Sequence, residues 1–189
     1  MGERRPGTLP YGAGKDLRPA TAPRQFVALK PDPTLSFERL GGKIGLSAST
    51  LHRSVTRLID AGLLTHQREV RRRDLRDLLL HGVRYVYYVK PGEPTRGVPT
   101  AFATSPLDKI VSAGDSIPVW PDPEGSARGY AVEPLDERVP EAARRDPGLY
   151  ELLALVDAIR IGRPREHALA AQELSLRLTP TAGPERPHG

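Results

Sequence analysis

A regular apolar stripe between Ser47 and Gly62 constrains the fold of this 189-residue chain more than any other feature. Its members recur at spacings of three, four and one residues, which place them on one side of a helix: Leu51, Val55, Leu58 and Ile59. Ser47 can accept a hydrogen bond from the first turn of such a helix, and glycine commonly ends one. The pattern predicts an amphipathic helix over residues 48–61.

The surroundings of this helix predict a helix-turn-helix arrangement. Ser36 can open a shorter helix, in which Phe37, Leu40 and Ile44 follow at helical spacings. Gly45-Leu46-Ser47 then forms a tight turn, and a further short helix is expected over residues 24–30. The side of the longer helix opposite its stripe is polar, and carries Ser49, Thr50, His52, Arg53, Thr56 and Arg57.

The remaining elements are strands and helices, so the fold class is predicted to be α+β. Residues 83–90 and 98–104 are expected to pair as a hairpin with Arg96 at its tip, and residues 117–120 and 128–132 as a second hairpin. A closing αα-hairpin is expected, because Gly162 and Pro164 separate two leucine-rich helical stretches. The stripe of its first helix consists of Leu149, Leu152, Leu153, Val156 and Ile159.

The stretch from Phe37 to Leu64 resembles the helix-turn-helix of bacterial winged-helix transcriptional regulators, broadly MarR-like. It has Gly-Leu-Ser before the longer helix, Ser49, Arg53 and Leu58 within it, and Gly-Leu-Leu after it. The resemblance is specific over residues 35–65 and looser to about residue 105. It departs from the family at Gly41-Gly42, where alanine-rich residues are usual, and in the distance between Leu64 and the expected hairpin wing.

The resemblance implies that double-stranded DNA is the partner and that the longer helix lies in the major groove. Serine and threonine hydroxyls can bond phosphates or bases, and arginine can grip guanine through two hydrogen bonds. The candidate DNA-binding residues are therefore Ser47, Ser49, Thr50, His52, Arg53, Thr56, Arg57 and Arg96. A basic run that opens the next helix offers further phosphate contacts, or is an ordinary solvated surface: Arg71, Arg72 and Arg73.

The charge of the chain is divided unevenly, which supports a polyanionic partner for one half. The net charge is +5, but residues 1–105 carry +9 and residues 106–189 carry −4. Arginine outnumbers lysine by 23 to 5 and asparagine is absent, a bias typical of GC-rich bacterial genes. Such a bias would enrich arginine in both halves alike, so the basic first half indicates nucleic-acid binding.

Several classes of function find no support in the sequence. The chain has no cysteine, which excludes disulfides and thiolate metal sites and fits a reducing cytoplasmic setting. No apolar run is long enough for a transmembrane helix, and no secretory signal is recognisable. The five histidines lack ligand spacing and no catalytic set assembles, so we expect no metal, no cofactor and no enzyme.

Four segments are expected along the chain. These are a flexible basic arm at 1–22, a winged helix DNA-binding domain at 23–105, a C-terminal domain at 106–180 and a disordered tail at 181–189. The leucine stripe of the αα-hairpin could pack within its own domain, form a homodimer interface, or bind a protein partner. The chain is thus predicted to be a dimeric repressor on a pseudo-palindromic operator, or alternatively an autoregulating antitoxin or defence-operon protein.

Overall fold

The structure is a computed structural model and describes most of the chain, namely residues 36–44, 46–112, 114 and 116–179. Three predicted terminal segments lie outside the described residues: the arm at 1–22, the helix at 24–30 and the tail at 181–189. No helix in the described part of the chain is both long and apolar enough to cross a membrane.

Two of the three helices predicted for the N-terminal part lie within the described residues, and both are present. They are α1, Phe37–Ile44, and α2, Ala48–Asp60. The side chain of Ser47 accepts a hydrogen bond from the backbone N–H of Thr50 at 3.2 Å, which is the expected cap. Gly62 follows α2 with a φ of 72°, a conformation that favours glycine.

A short hairpin directly follows α2, at a place where none was predicted. Leu64 and Val70 form an antiparallel bridge, and the backbone N–H of Thr65 donates to the Glu69 carbonyl at 2.8 Å. The backbone N–H of Arg71 closes the base of the hairpin on the Leu63 carbonyl at 3.0 Å. This hairpin occupies the position of a wing, so we call residues 63–71 the wing.

The prediction of a wing at residues 83–104 is wrong. Residues 72–86 are helical throughout, as α3, Arg72–Asp77, a π-helical turn, Leu78–Gly82, and α4, Val83–Val86. β-branched and aromatic residues here predicted a strand, but burial of Val83 against the C-terminal helices outweighs that preference. The predicted return strand begins early and ends at Pro99, and Ala101–Ala103 form a 3₁₀ turn.

Three strands among the described residues form a small closed sheet. They are β1, Pro94–Pro99, β2, Pro118–Pro121, and β3, Ala127–Ala131. β1 pairs antiparallel with both of the others, and β2 pairs parallel with β3. The predicted hairpin of residues 117–120 with 128–132 is therefore wrong, because both strands use β1 as their antiparallel partner.

Close backbone approaches make the sheet compact. A Cβ atom on Gly97 would lie 2.0 Å from the Trp120 carbonyl oxygen, and one on Gly129 would lie 1.9 Å from the Ile117 carbonyl oxygen. Glycine is thus required where strands pack this tightly.

Three helices follow in the described part of the chain: α5, Val139–Arg145, α6, Pro147–Ile161, and α7, Pro164–Leu178. Asp146 caps α6 by accepting the Leu149 N–H at 3.0 Å. The leucine stripe of α6 does not form an exposed surface for a dimer or a partner. Leu149, Leu153, Val156 and Ile159 are buried in this chain's own core, and the partly buried Leu152 packs against it.

The described residues form two hydrophobic cores. The first is built by α1, α2 and the wing around Leu51, Val55, Leu58 and Leu64. The second extends from Val83 to Leu178 and contains β1, β2 and the C-terminal helices. The boundary expected at residue 105 passes through this second core, since Ala101 and Leu107 both belong to it.

A buried ionic group lies at the centre of the second core. Asp157 of α6 is 1% exposed and pairs with Arg160, which is 6% exposed. The Asp157 carboxylate also accepts hydrogen bonds from Thr100 and from the indole N–H of Trp120. Arg160 in turn donates to the Tyr87 carbonyl at 2.8 Å and the Glu133 carbonyl at 3.1 Å. We call Asp157 and Arg160 the buried ion pair.

The substitution Asp157→Ala is expected to lower the free energy of unfolding by about 3–5 kcal/mol, because it leaves the Arg160 charge buried without its partner. Urea denaturation measures the change. Glu141→Ala is the control, since Glu141 pairs with Arg145 on the surface and such pairs contribute about 0–1 kcal/mol. Equal effects of the two substitutions would contradict a structural role for the buried ion pair.

A second carboxylate joins the sheet to α5. Asp122 is buried at the turn after β2 and accepts hydrogen bonds from Arg144 and from the Glu124 N–H. Burial alone would raise the pKa of Asp122, but the Arg144 guanidinium and the Glu124 N–H together hold it below its ordinary value of 3.8.

Acid should therefore weaken the fold through Asp122. Because its folded pKa is lowered, its contribution is complete well above pH 3.8 and is lost as the pH falls through that value toward the folded pKa. Thermal melts between pH 6 and pH 2.5 should show a shallower loss of Tm for Asp122→Asn than for the wild type. Parallel curves would show that Asp122 does not contribute.

Candidate nucleic-acid interface

The turn between α1 and α2 depends on a close backbone approach at Gly41. The backbone N–H of Leu46 donates to the Gly41 carbonyl at 2.9 Å. A Cβ atom on Gly41 would lie 2.3 Å from the Leu46 carbonyl oxygen, which is too close for any other residue without a shift of the backbone. Glycine at this point in α1 therefore lets the turn fold back and orient α2.

Three hydroxyl groups gather at the first turn of α2. The Ser47 hydroxyl lies 2.9 Å from the Thr50 hydroxyl and 3.1 Å from the Ser49 hydroxyl. Ser47 and Ser49 are exposed, and Thr50 is partly exposed. The positive end of the helix dipole and a cluster of donors thus share one surface, an arrangement suited to a phosphate oxygen.

The exposed side of α2 carries the predicted cationic residues. Arg53 and Arg57 are one turn apart, both are exposed, and neither forms an ion pair with any described residue. The Thr56 hydroxyl donates to the His52 carbonyl at 3.1 Å, so this side chain is engaged locally. The two guanidinium groups are consequently the side chains of α2 best placed to reach a partner.

Aromatic and cationic contacts hold the wing against α1 and α2. The rings of Phe37 and His52 meet edge to face with centroids 5.2 Å apart. The Arg68 guanidinium lies over the Phe37 ring, 5.1 Å from its centroid. His52 was predicted to bind DNA, and its ring faces Phe37 in this structure. At the wing tip, His66 and Gln67 are exposed.

Sequence reasoning missed the wing because its strands are very short. The one available signal is the pair of apolar residues Leu64 and Val70 on either side of a polar stretch, directly after Gly62. A left-handed φ of 65° at Arg68 allows the tight reversal. Glycine or asparagine usually occupies such a left-handed position, so an arginine there does not indicate a turn in the sequence.

The basic run continues from the wing into α3. Arg71, Arg72 and Arg73 are exposed, and Arg71 lies 4.0 Å from Asp74. Arg72, Arg73 and Arg76 line one wall of a groove of about 620 Å³, which extends from Val70 of the wing to the end of α7. The side of the wing that adjoins α3 is therefore positively charged.

Other predicted site residues lie elsewhere. Arg96 is within β1, paired in register with Arg128, and is not at a hairpin tip. Trp120 is buried in the second core. Tyr85 and Tyr88 are 76% and 66% exposed. The described residues contain no cluster of three or more side chains suited to a metal ion.

Comparison with known families supports the arrangement of α1, α2 and the wing. Residues 28–65 match the family model for winged helix-turn-helix DNA-binding domains. The matched segment contains both described helices and the first strand of the wing. No curated protein and no solved structure matches the chain. The N-terminal part of the chain is thus similar to DNA-binding domains, and DNA is the partner this similarity supports.

Gly41→Ala is expected to lower the free energy of unfolding by about 1–3 kcal/mol, because its methyl group overlaps the Leu46 carbonyl. DNA affinity should fall with it, since the turn orients α2. Denaturation and fluorescence anisotropy measure the two effects.

Gly148→Ala in α6 is the matched control. Its Cβ atom would lie at an ordinary 3.4 Å from the Asp146 side chain, so we expect no loss of stability. Unchanged stability and DNA affinity of Gly41→Ala would show that the turn does not depend on glycine.

Proposed function

We propose that this chain is a sequence-specific DNA-binding transcriptional regulator that reads the major groove with α2. The observation that carries the proposal is the exposed pair Arg53 and Arg57, free of ion pairs within the described part of the chain, on the second helix of a segment similar to DNA-binding domains. A regulator of this kind needs no catalytic group, which is consistent with the absence of a catalytic set in the sequence.

The proposed mechanism places the first turn of α2 at the edge of the major groove. The hydroxyls of Ser47, Ser49 and Thr50, with the helix N–H groups, bind a phosphate and set the position of the helix. Arg53 and Arg57 then reach base edges, where arginine prefers the O6 and N7 atoms of guanine. His52 and Thr56 lie on the same exposed side of α2, where the His52 ring packs against Phe37 and the Thr56 hydroxyl donates to the His52 carbonyl, so both support the surface rather than read bases.

The wing and the basic run supply contacts that do not depend on sequence. His66 and Gln67 at the wing tip can approach the DNA backbone beside α2. Arg71 ends the wing, and Arg72 and Arg73 extend the positive surface along the groove beside α3. Such phosphate contacts add affinity and strong salt dependence without adding specificity.

We further propose that the protein acts as a homodimer and represses by occupying a promoter. One recognition helix covers only a few base pairs, and a two-fold dimer on a pseudo-palindrome doubles the sequence that is read. The dimer interface must use surfaces other than the buried leucine stripe of α6. We place the DNA-binding domain before residue 83, where the second core begins, and regard a bacterial, MarR-like, cytoplasmic regulator as the best description.

Arg53→Ala and Arg57→Ala should each weaken binding to the preferred site by about 5- to 150-fold, because each removes about 1–3 kcal/mol of base discrimination. Preference over random DNA should fall in parallel. Fluorescence anisotropy on a duplex selected from random sequence by the wild-type protein measures both quantities.

Lys109→Ala removes an exposed positive charge outside the proposed interface and is the matched control. It should leave the ratio of specific to random binding unchanged. Retention of the full ratio by both arginine variants would exclude α2 as the recognition helix.

A further inference from the structure

The closed sheet places two positive charges directly opposite each other. Arg96 of β1 and Arg128 of β3 are register partners in the antiparallel pair, and both are exposed. Side chains in such positions have Cβ atoms about 4.5–5.5 Å apart, and like charges there repel. Neither arginine forms an ion pair with any residue that the structure describes. We call Arg96 and Arg128 the arginine pair.

Two acidic residues in the turn after β2 do not neutralise this pair. Asp122 donates its backbone N–H to the Arg96 carbonyl at 3.1 Å, but its carboxylate binds Arg144. Glu124 lies 4.0 Å from the same Arg144. The two carboxylates of this turn thus face α5 and form no ion pair with the arginine pair.

The backbone beside the arginine pair is closely packed. The glycine after Arg96 and the glycine after Arg128 lie against β2 or the residue just before it, too close for a Cβ atom. Tyr130, two residues after Arg128 and on the same side of β3, is partly buried, whereas both arginines are exposed. The arginine side chains are therefore accessible on a closely packed backbone.

We propose that the arginine pair is a phosphate-binding site through which the C-terminal part of the chain holds the backbone of duplex DNA. Two guanidinium groups on neighbouring strands can grip the two free oxygens of one phosphodiester, and this offsets their mutual repulsion. This proposal rests on the proposed function. It adds a second DNA contact, far from α2 in the chain, in the part that contains the second core.

Salt dependence tests this site separately from sequence recognition. The probe is a random-sequence 30-base-pair duplex, and anisotropy is measured across a series of salt concentrations. The double variant Arg96→Gln/Arg128→Gln should lower the slope of log affinity against log salt by about 0.9, the value for one lost phosphate contact. Lys109→Gln should leave the slope unchanged.

Arg128→Glu provides a second readout that needs no DNA. It replaces the repulsion with a cross-strand ion pair to Arg96, so Tm should rise by about 1–3 °C while affinity for the duplex falls. A variant that is more stable yet binds DNA less well supports a binding role for the pair.

The outcomes separate this proposal from the proposed function. If the wild type binds the duplex and the double variant keeps the full salt slope, the arginine pair is not a phosphate site, although α2 can still read DNA. If the wild type binds no duplex at any salt concentration, both proposals fail.

Discussion

The buried ion pair of Asp157 and Arg160 is the interaction on which the larger part of this structure depends. Through it, α6 contacts the strand of Trp120, the segment of Thr100 and the carbonyls that end α4 and follow β3. A charge pair in an apolar core is costly unless its hydrogen bonds are satisfied, and here side chains and carbonyls satisfy them. The pair therefore specifies how the sheet and α4 sit against the central helix.

That arrangement buries the apolar surface of α6 inside the chain, so this surface is not available to a partner. The leucine stripe, which could have served a partner, is instead the wall against which the sheet and α7 pack. Among the described residues, the large apolar side chains that remain exposed are Tyr85, Val86, Tyr88, Ile110 and Leu176. The second core thus stabilises the fold. The surfaces that can contact a polyanion are α2, the wing and the basic residues around α3 and β1.

The sequence predicted the elements whose signals are local. The stripe of α2, the Ser47 cap and the Gly62 stop are contained within one segment, and the match at residues 28–65 agrees with them. The conformation of residues 83–86 and the strand pairing depend on long-range packing, which local patterns do not show. Val83 was expected in a strand but lies in a helix buried by distant helices, and β2 pairs parallel with β3 because both pair with β1. The wing and the buried ion pair gave too little periodic signal to be recognised.

DNA reading by α2 is tested most directly by sequencing the genomic DNA fragments that the full chain retains at about 150 mM salt. The comparison is the set retained by the double variant Arg53→Ala/Arg57→Ala. Sequencing of both pools measures enrichment over input DNA. Recognition by α2 predicts a shared short motif in the wild-type pool and its loss in the variant pool, while total retained DNA falls less because phosphate contacts remain. An identical motif in both pools, or no motif in either, would contradict DNA reading by α2.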